Sequence, residues 1–202
     1  MNERVDLDGA VAAATRAISV EISDISAAVN GIDDDLARAL ELLNNTSGKI
    51  VVSGIGKPGH IGKKIAATLA STGSPAFFVH ATEALHGDSG MAMPGDSAIL
   101  LSNSGTTAEV CAFGSMLKNW GIPIVAMTKS AQSPLGQLAD VTLELRLPGE
   151  ADPLGLAPTS STTLKLILGD ALAIGLMTLS GFDAEGFGAR HPGGALGQQL
   201  AN

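Results

Sequence analysis

The sequence predicts an α/β protein: a parallel sheet with helices covering both faces. Short apolar runs rich in β-branched residues recur along the chain, and apolar residues at helical spacing fill the intervals between them. Short turns join the two kinds of segment, with no internal repeat and no low-complexity linker. The 202 residues are 45% hydrophobic but only 3% aromatic, with no Tyr. That composition calls for an aliphatic core, and the length suffices for one α/β domain.

Two helices come first. Ala14, Ile18, Ile22, Ile25 and Val29 form one stripe, which Asn30-Gly31 ends. Asp33, Asp34 and Asp35 then supply a cap and first-turn carboxylates for a helix carrying Leu36, Leu40 and Leu43. Residues 1–46 are expected to pack these helices on the core or on a neighbouring subunit, and residues 47–202 to form one structural unit. Strands are predicted at Ile50–Val52, Ala76–Val79, Ser97–Leu101, Ile122–Met127 and Val141–Leu145. The glycine turn after the first strand leads into a helix carrying Ile61, Ile65 and Leu69. Thr82–Asp88 reads as a short helix or loop, Thr107–Leu117 and Ser133–Leu138 as helices. A long helix runs from Thr159 to about Leu179, ahead of the tail Gly181–Asn202.

The charge of −8 argues against nucleic-acid binding. Cys111 is the single cysteine, so no disulfide framework is expected, and its role reads as a small core residue. The charged start MNERVDLDG has no apolar leader, and the most apolar run, Leu164–Leu179, is interrupted by Lys165 and Asp170 and short for a bilayer. The expectation is a cytoplasmic protein with neither a membrane nor a nucleic-acid partner.

Gly54, Gly56 and Gly59 follow the first strand at GxGxxG spacing, with Lys57 among them. A helix start behind such a turn suits a phosphate. The same spacing fits a dinucleotide, but the second strand ends in His80 where a ribose would want a carboxylate. Ser102-Asn103-Ser104-Gly105-Thr106-Thr107 also joins a strand to a helix, and reads either as an anion cradle or as an N-cap with surplus hydroxyls. Thr159, Ser160, Ser161, Thr162 and Thr163 either cap the long helix or hold a ligand. Lys57, His86, Glu109, Glu150 and His191 stand at predicted strand ends, in Gly/Pro loops or one turn into a helix, ahead of the weaker His60 and His80. Together they offer bases, acids and a cation, the set needed for proton transfer beside a carbonyl. His80, His86 and His191 lack the close spacing of a metal motif, so no metal is expected.

The segments Gly54–Gly73, His80–Met91, Ser102–Glu109, Pro153–Thr163, Gly169–Ala173 and His191–Gly197 resemble the sugar isomerase (SIS) family, from about Gly48 to the end of the chain. SNSG marks the superfamily, whereas PLGLAPTSSTT with HPGGALG resembles its arabinose-5-phosphate isomerase group. The resemblance implies a flavodoxin-like, five-stranded parallel sheet and a homotetramer with sites at subunit contacts. It implies interconversion of D-arabinose 5-phosphate and D-ribulose 5-phosphate through a cis-enediol(ate), the entry to Kdo and lipopolysaccharide synthesis, with no cofactor. The family's catalytic lysine, glutamates and histidine fall on Lys57, Glu109, Glu150 and His191, and Glu150 is the expected base with Glu109 as runner-up. A further active-site histidine falls on His86; the sugar phosphate is expected on Gly56, Ser102, Asn103, Ser104 and Thr107, with Thr159, Ser160 and Ser161 nearby. Two features depart from the family. Pro58 stands where the family turn GKSGH has Ser, and the familiar long form continues into a paired cystathionine-β-synthase-type domain, whereas this sequence ends at Asn202. The chain therefore reads as a single-domain form or a piece of the long one. The alternatives are an isomerase of another phosphosugar and a non-catalytic sugar-phosphate-binding regulatory module.

Overall fold

The computed structural model describes residues 6–193. Five parallel strands form one sheet: β1 (Ile50–Gly54), β2 (Ala76–His80), β3 (Ser97–Leu101), β4 (Ile124–Thr128) and β5 (Val141–Glu144). Their spatial order is β2-β1-β3-β4-β5. Strands β1, β3 and β4 are buried along their whole length, which is why they read as continuous apolar runs rather than alternating ones.

Helices α1 (Leu7–Ala28), α2 (Asp33–Asn44), α3 (Gly56–Ser71) and α7 (Ser160–Ser180) cover one face. There Val52, Ile99, Leu101, Val125 and Met127 meet Ile65, Leu69, Leu168 and Leu172. Helices α4 (Ala81–Ala84), α5 (Ala108–Asn119) and α6 (Pro134–Leu138) cover the other, where Val51, Leu100 and Ile124 meet Val110, Phe113 and Leu135. Helix α8 (Ala184–Arg190) follows α7. Asp183 starts it by accepting from the Gly186 N–H at 2.9 Å, a cap hidden in the stretch that reads only as a tail.

Several boundaries differ from expectation. The sequence predicts β4 from Ile122, but the Ile122 N–H closes the turn after α5 on the Leu117 carbonyl at 3.0 Å, so pairing begins at Ile124. The predicted glycine turn before α3 is shorter than expected: the helix already starts at Gly56, and Lys57 and Pro58 lie in its first turn. Pro58 fits there because first-turn N–H groups have no intrahelical partner to lose. Gly59 lets the helix approach the strand, since a Cβ there would lie 3.0 Å from the Gly54 carbonyl oxygen. Only part of the predicted α1 stripe is used: Ile25 is buried, but Ile18 and Ile22 are 62% and 67% exposed. The expectation that the Leu164 run is too short for a bilayer also fails. Helix α7 has 21 residues and is long and apolar enough by length and composition. In the fold it is a core helix, with Leu164, Leu168, Leu172 and Leu176 buried against the sheet side.

Candidate active site

The strand order reverses between β1 and β3: α3 leaves to one face and α5 to the other. Such a switch point opens a crevice at the carboxyl ends of the strands. Gly54 and Leu101 are register partners, so the residues that follow each, Gly56-Lys57 and Ser102–Thr107, begin at one level. Neither helix start is closed by a side chain. Ile55 caps α3 and Thr107 caps α5 without a side-chain hydrogen bond to the helix's own first N–H groups. Gly56 has φ +62°, and a Cβ there would meet only open space. Free N–H groups at two adjoining helix starts make a ready anion site.

The β3–α5 loop is held rigidly. Ser102 Oγ accepts the Gly105 N–H at 3.1 Å and pairs with Thr107 Oγ1 at 2.8 Å. Ser104 Oγ accepts from the N–H and hydroxyl of Thr106 at 3.2 and 2.9 Å. From behind, the Lys129 N–H bonds the Asn103 carbonyl at 3.0 Å and the Leu135 N–H bonds the Gly105 carbonyl at 2.9 Å. Gly105 has φ +70°, and a Cβ would overlap the Ser133 and Thr128 side chains, so glycine is required twice over. The half-buried Cys111 thiol also faces the Gly105 carbonyl, at 3.4 Å, and burial pushes its pKa up. Glu109 is half-buried in the first turn of α5.

A third helix start carries the other glutamate. Glu150 Oε2 accepts from the Thr159 N–H at 2.8 Å, the Ser161 N–H at 3.1 Å and the Thr159 hydroxyl at 3.4 Å. Glu150 Oε1 accepts none among the described residues. Burial pushes this carboxyl up, but hydrogen bonds from Ser161 and Thr159 and the charge of Lys165 outweigh it and hold the group below its ordinary value. The expected hydroxyl cap of α7 is thus replaced by a carboxylate from nine residues upstream. Thr159 makes no cap bond with its side chain; its Oγ1 accepts from the Ala151 N–H at 2.9 Å instead. Ser160 Oγ and Ser161 Oγ are buried with no hydrogen-bond partner among the described residues, as are Ser53 Oγ near the end of β1 and His80 Nδ1.

Lys165 is the residue that sequence reasoning missed, having treated it only as a charge interrupting an apolar run. It is 0% exposed, and its Nζ donates to Asn103 Oδ1 at 3.3 Å and to the Ser161 carbonyl at 3.1 Å. Burial lowers its pKa to about 8, against the pull of Glu150 and with help from Lys129. The signal was present: Ser161, Lys165, Leu168, Leu172 and Leu176 share one helical stripe, so the lysine had to enter the core.

The fold therefore gathers Ser102, Asn103, Ser104 and Thr107 in one loop, and joins that loop through Lys165 to the helix start holding Glu150. Lys57 is exposed at the start of α3. His86 is exposed after α4, its N–H on the Glu83 carbonyl at 2.9 Å. His191 stands apart. It ends α8, with Nδ1 2.8 Å from the Phe187 carbonyl oxygen and its ring stacked on Phe187 at 4.0 Å. Helix α7 extends about 30 Å away from the Glu150 end before α8 begins, and Phe182, between them, packs on Gly73 beyond the far end of α3. No hydrogen bond, ion pair or ring contact among the described residues joins His191 to Lys57, Glu109 or Glu150. The remainder of its motif, Gly194–Gly197, lies outside the described residues. Among the described residues no three His, Cys, Asp or Glu side chains come together as a metal site would need.

Residues 41–175 match the SIS domain family. The chain is 50% identical over 200 residues to the arabinose 5-phosphate isomerase KdsD of Pseudomonas aeruginosa, covering 99% of this chain and 61% of that protein. It is 50% identical over 169 residues to KdsD of Escherichia coli K12, covering 84% of this chain and 52% of that one. It thus spans only part of the length of these curated relatives. Among solved structures, E. coli CFT073 c3406 in complex with arabinose 5-phosphate superposes with a TM-score of 0.88 at 39% identity, over 93% of this chain and 100% of that one.

Proposed function

The chain belongs to the SIS-domain family, and on that premise we propose that it interconverts D-arabinose 5-phosphate and D-ribulose 5-phosphate, supplying Kdo and lipopolysaccharide synthesis in the cytoplasm. The observation that carries this reading is the state of Glu150: one oxygen anchored by a helix start, the other free, beside a loop of hydroxyls and N–H groups. The relatives named above, and the arabinose 5-phosphate held by one of them, support the choice of substrate.

In the proposed reaction the phosphate rests on the N–H groups at Gly56 and the starts of α3 and α5, with the hydroxyls of Ser102, Ser104 and Thr107. Glu150 Oε1 takes the proton from C2 of the open-chain aldose. The C2–H electron pair forms the C1–C2 double bond, and the carbonyl pair moves to O1, giving a cis-enediolate. Lys57 donates to the developing oxyanion. His191 moves the hydroxyl proton between O1 and O2, and Glu150 returns its proton to C1. Glu109 is the runner-up base. His86, Ser160 and Ser161 bind the sugar hydroxyls, and the chemistry asks for no cofactor. The separation of His191 from the two glutamates supports a homotetramer in which a neighbouring copy supplies it, and the exposed Ile18 and Ile22 of α1 support the same assembly.

Pro58 favours a second reading, the same chemistry on another phosphosugar, because it withdraws an N–H from the α3 start. Incubation with D-arabinose 5-phosphate in EDTA, alongside ribose, glucose and fructose phosphates, separates the readings. Turnover of arabinose 5-phosphate alone is expected. Turnover of another sugar only would overturn the substrate, and thermal stabilisation without turnover would leave a binding module.

A further inference from the structure

Lys165 is the one charged side chain with no exposed surface among the described residues. Among the described residues its two hydrogen-bond acceptors are both neutral, and no carboxylate touches it. Burying an ammonium on those terms is costly, and an apolar residue of similar volume would serve the core better. The position is therefore poorly explained by stability.

The two acceptors belong to different halves of the crevice. Asn103 lies in the β3–α5 loop, in the middle of the hydroxyl cluster, and its carbonyl also takes the Lys129 N–H. Ser161 lies in the first turn of α7, and its N–H grips Glu150. The charges facing Lys165 are Glu150, which favours its protonated form, and Lys129 after β4, which opposes it. On the neighbouring helices Lys64 of α3 pairs with Asp170 of α7, Lys63 of α3 lies over the Phe78 ring, and Glu21 of α1 accepts from Thr163 at 3.0 Å, while Lys57 at the start of α3 is exposed. Lys165 thus spans the anion loop and the carboxylate's anchor with one cationic head.

We propose that Lys165 is a positioning residue: by holding Asn103 and Ser161 together it sets the anion loop in register with Glu150, so that a phosphate in the loop places the sugar carbons under the carboxylate. Its kinetic consequences rest on the isomerase reading; its effect on anion binding does not. Protonated Lys165 holds both acceptors at neutral pH. Above about pH 8 it loses its charge and its grip on the loop slackens.

The test compares the full chain with Lys165→Met, Lys165→Gln and Asn103→Ala. Two readouts are needed: arabinose 5-phosphate kinetics from pH 6 to 10, and calorimetric binding of inorganic phosphate. Lys165→Met is expected to raise both KM and the phosphate Kd about tenfold, the loss of one charge-assisted hydrogen bond. The wild-type kcat/KM is expected to decline above pH 8, and that decline to vanish in both Lys165 variants, a change that a merely structural lysine would not produce. Lys165→Met and Asn103→Ala should be non-additive when combined. If Lys165→Met does not fold, Lys165→Gln, which keeps a donor without a charge, carries the comparison. Unchanged KM, phosphate Kd and pH profile in a folded variant overturn the proposal. Should the wild type turn over no phosphosugar, the isomerase reading fails, and the phosphate Kd decides this inference: tenfold weaker binding in the variant sustains it, equal binding ends it. A wild type that neither turns over a phosphosugar nor binds phosphate ends both.

Discussion

Helices α3 and α7 both begin beside the crevice, yet they use their first turns in opposite ways. Among the described residues the start of α3 holds nothing of the protein's own: Ile55 makes no side-chain cap and Gly56 leaves open space. The start of α7 is filled by Glu150, gripped by two N–H groups and a hydroxyl. Every helix start carries unpaired donors and a partial positive charge. Left open, it binds an incoming anion. Filled from the same chain, it fixes a carboxylate in one orientation and keeps it ionised. In the proposed reaction the site combines one of each, a receiver for the phosphate and a mount for the base.

The comparison breaks most severely at the mount. Glu150→Gln keeps the shape and the bonds to α7 but removes the proton acceptor. A fall in kcat of about 10³-fold is expected, within the usual range for general acid–base groups, with phosphosugar binding retained by calorimetry. Unchanged turnover would transfer the base role to Glu109 or dismiss the mechanism. Next comes the receiver. Gly105→Ala would force a Cβ at φ +70° into Ser133 and Thr128. Urea unfolding should register a loss of about 2 kcal/mol, and phosphate affinity should fall with it. An unperturbed variant would show that the loop is softer than its bonds imply.

The two filled groups also differ in their pH signatures. Glu150 sits below its ordinary value of 4.5, so its stabilisation is present above that value and fades as acid protonates the folded form. Lys165 falls from 10.5 to about 8 on folding, so between those values the unfolded chain binds the extra proton and stability rises with pH. Urea midpoints measured from pH 7 to 10.5 should climb in the wild type and stay flatter in Lys165→Met. The smallest effect belongs to Pro58→Ser, which returns an N–H and a hydroxyl to the open start of α3. It should tighten phosphate about threefold, near the lower limit of a net hydrogen bond, without altering kcat. Looser binding would mean that Pro58 is itself fitted to the ligand.

Much of this architecture can be read from local pattern. Ile50–Val52 and Ser97–Leu101 are apolar on both sides because both sides are buried. Gly54, Gly56 and Gly59 announce a tight strand-to-helix passage, although the helix begins earlier than its apolar spacing suggests because Lys57 and Pro58 contribute no core residue. The hydroxyl-rich Ser102–Thr107 loop is visible as a candidate anion site for the same reason: its residues act within a few positions of one another. Lys57, His86, Glu109, Glu150 and His191 could be named as candidates, but not their partners.

What local pattern cannot record is which distant group fills which donor. The hydroxyls of Thr159–Thr163 look like a cap, whereas the cap is Glu150, separated from Thr159 by nine positions. Lys165 looks like a blemish in an apolar run, whereas it meets Asn103 across a separation of 62 positions. Periodicity governs which side of a helix is buried, so strands, stripes and glycine turns follow from the chain alone. Hydrogen-bond pairing inside the site depends on how three helix starts are brought to one crevice, and that is settled when the sheet assembles and stacks them.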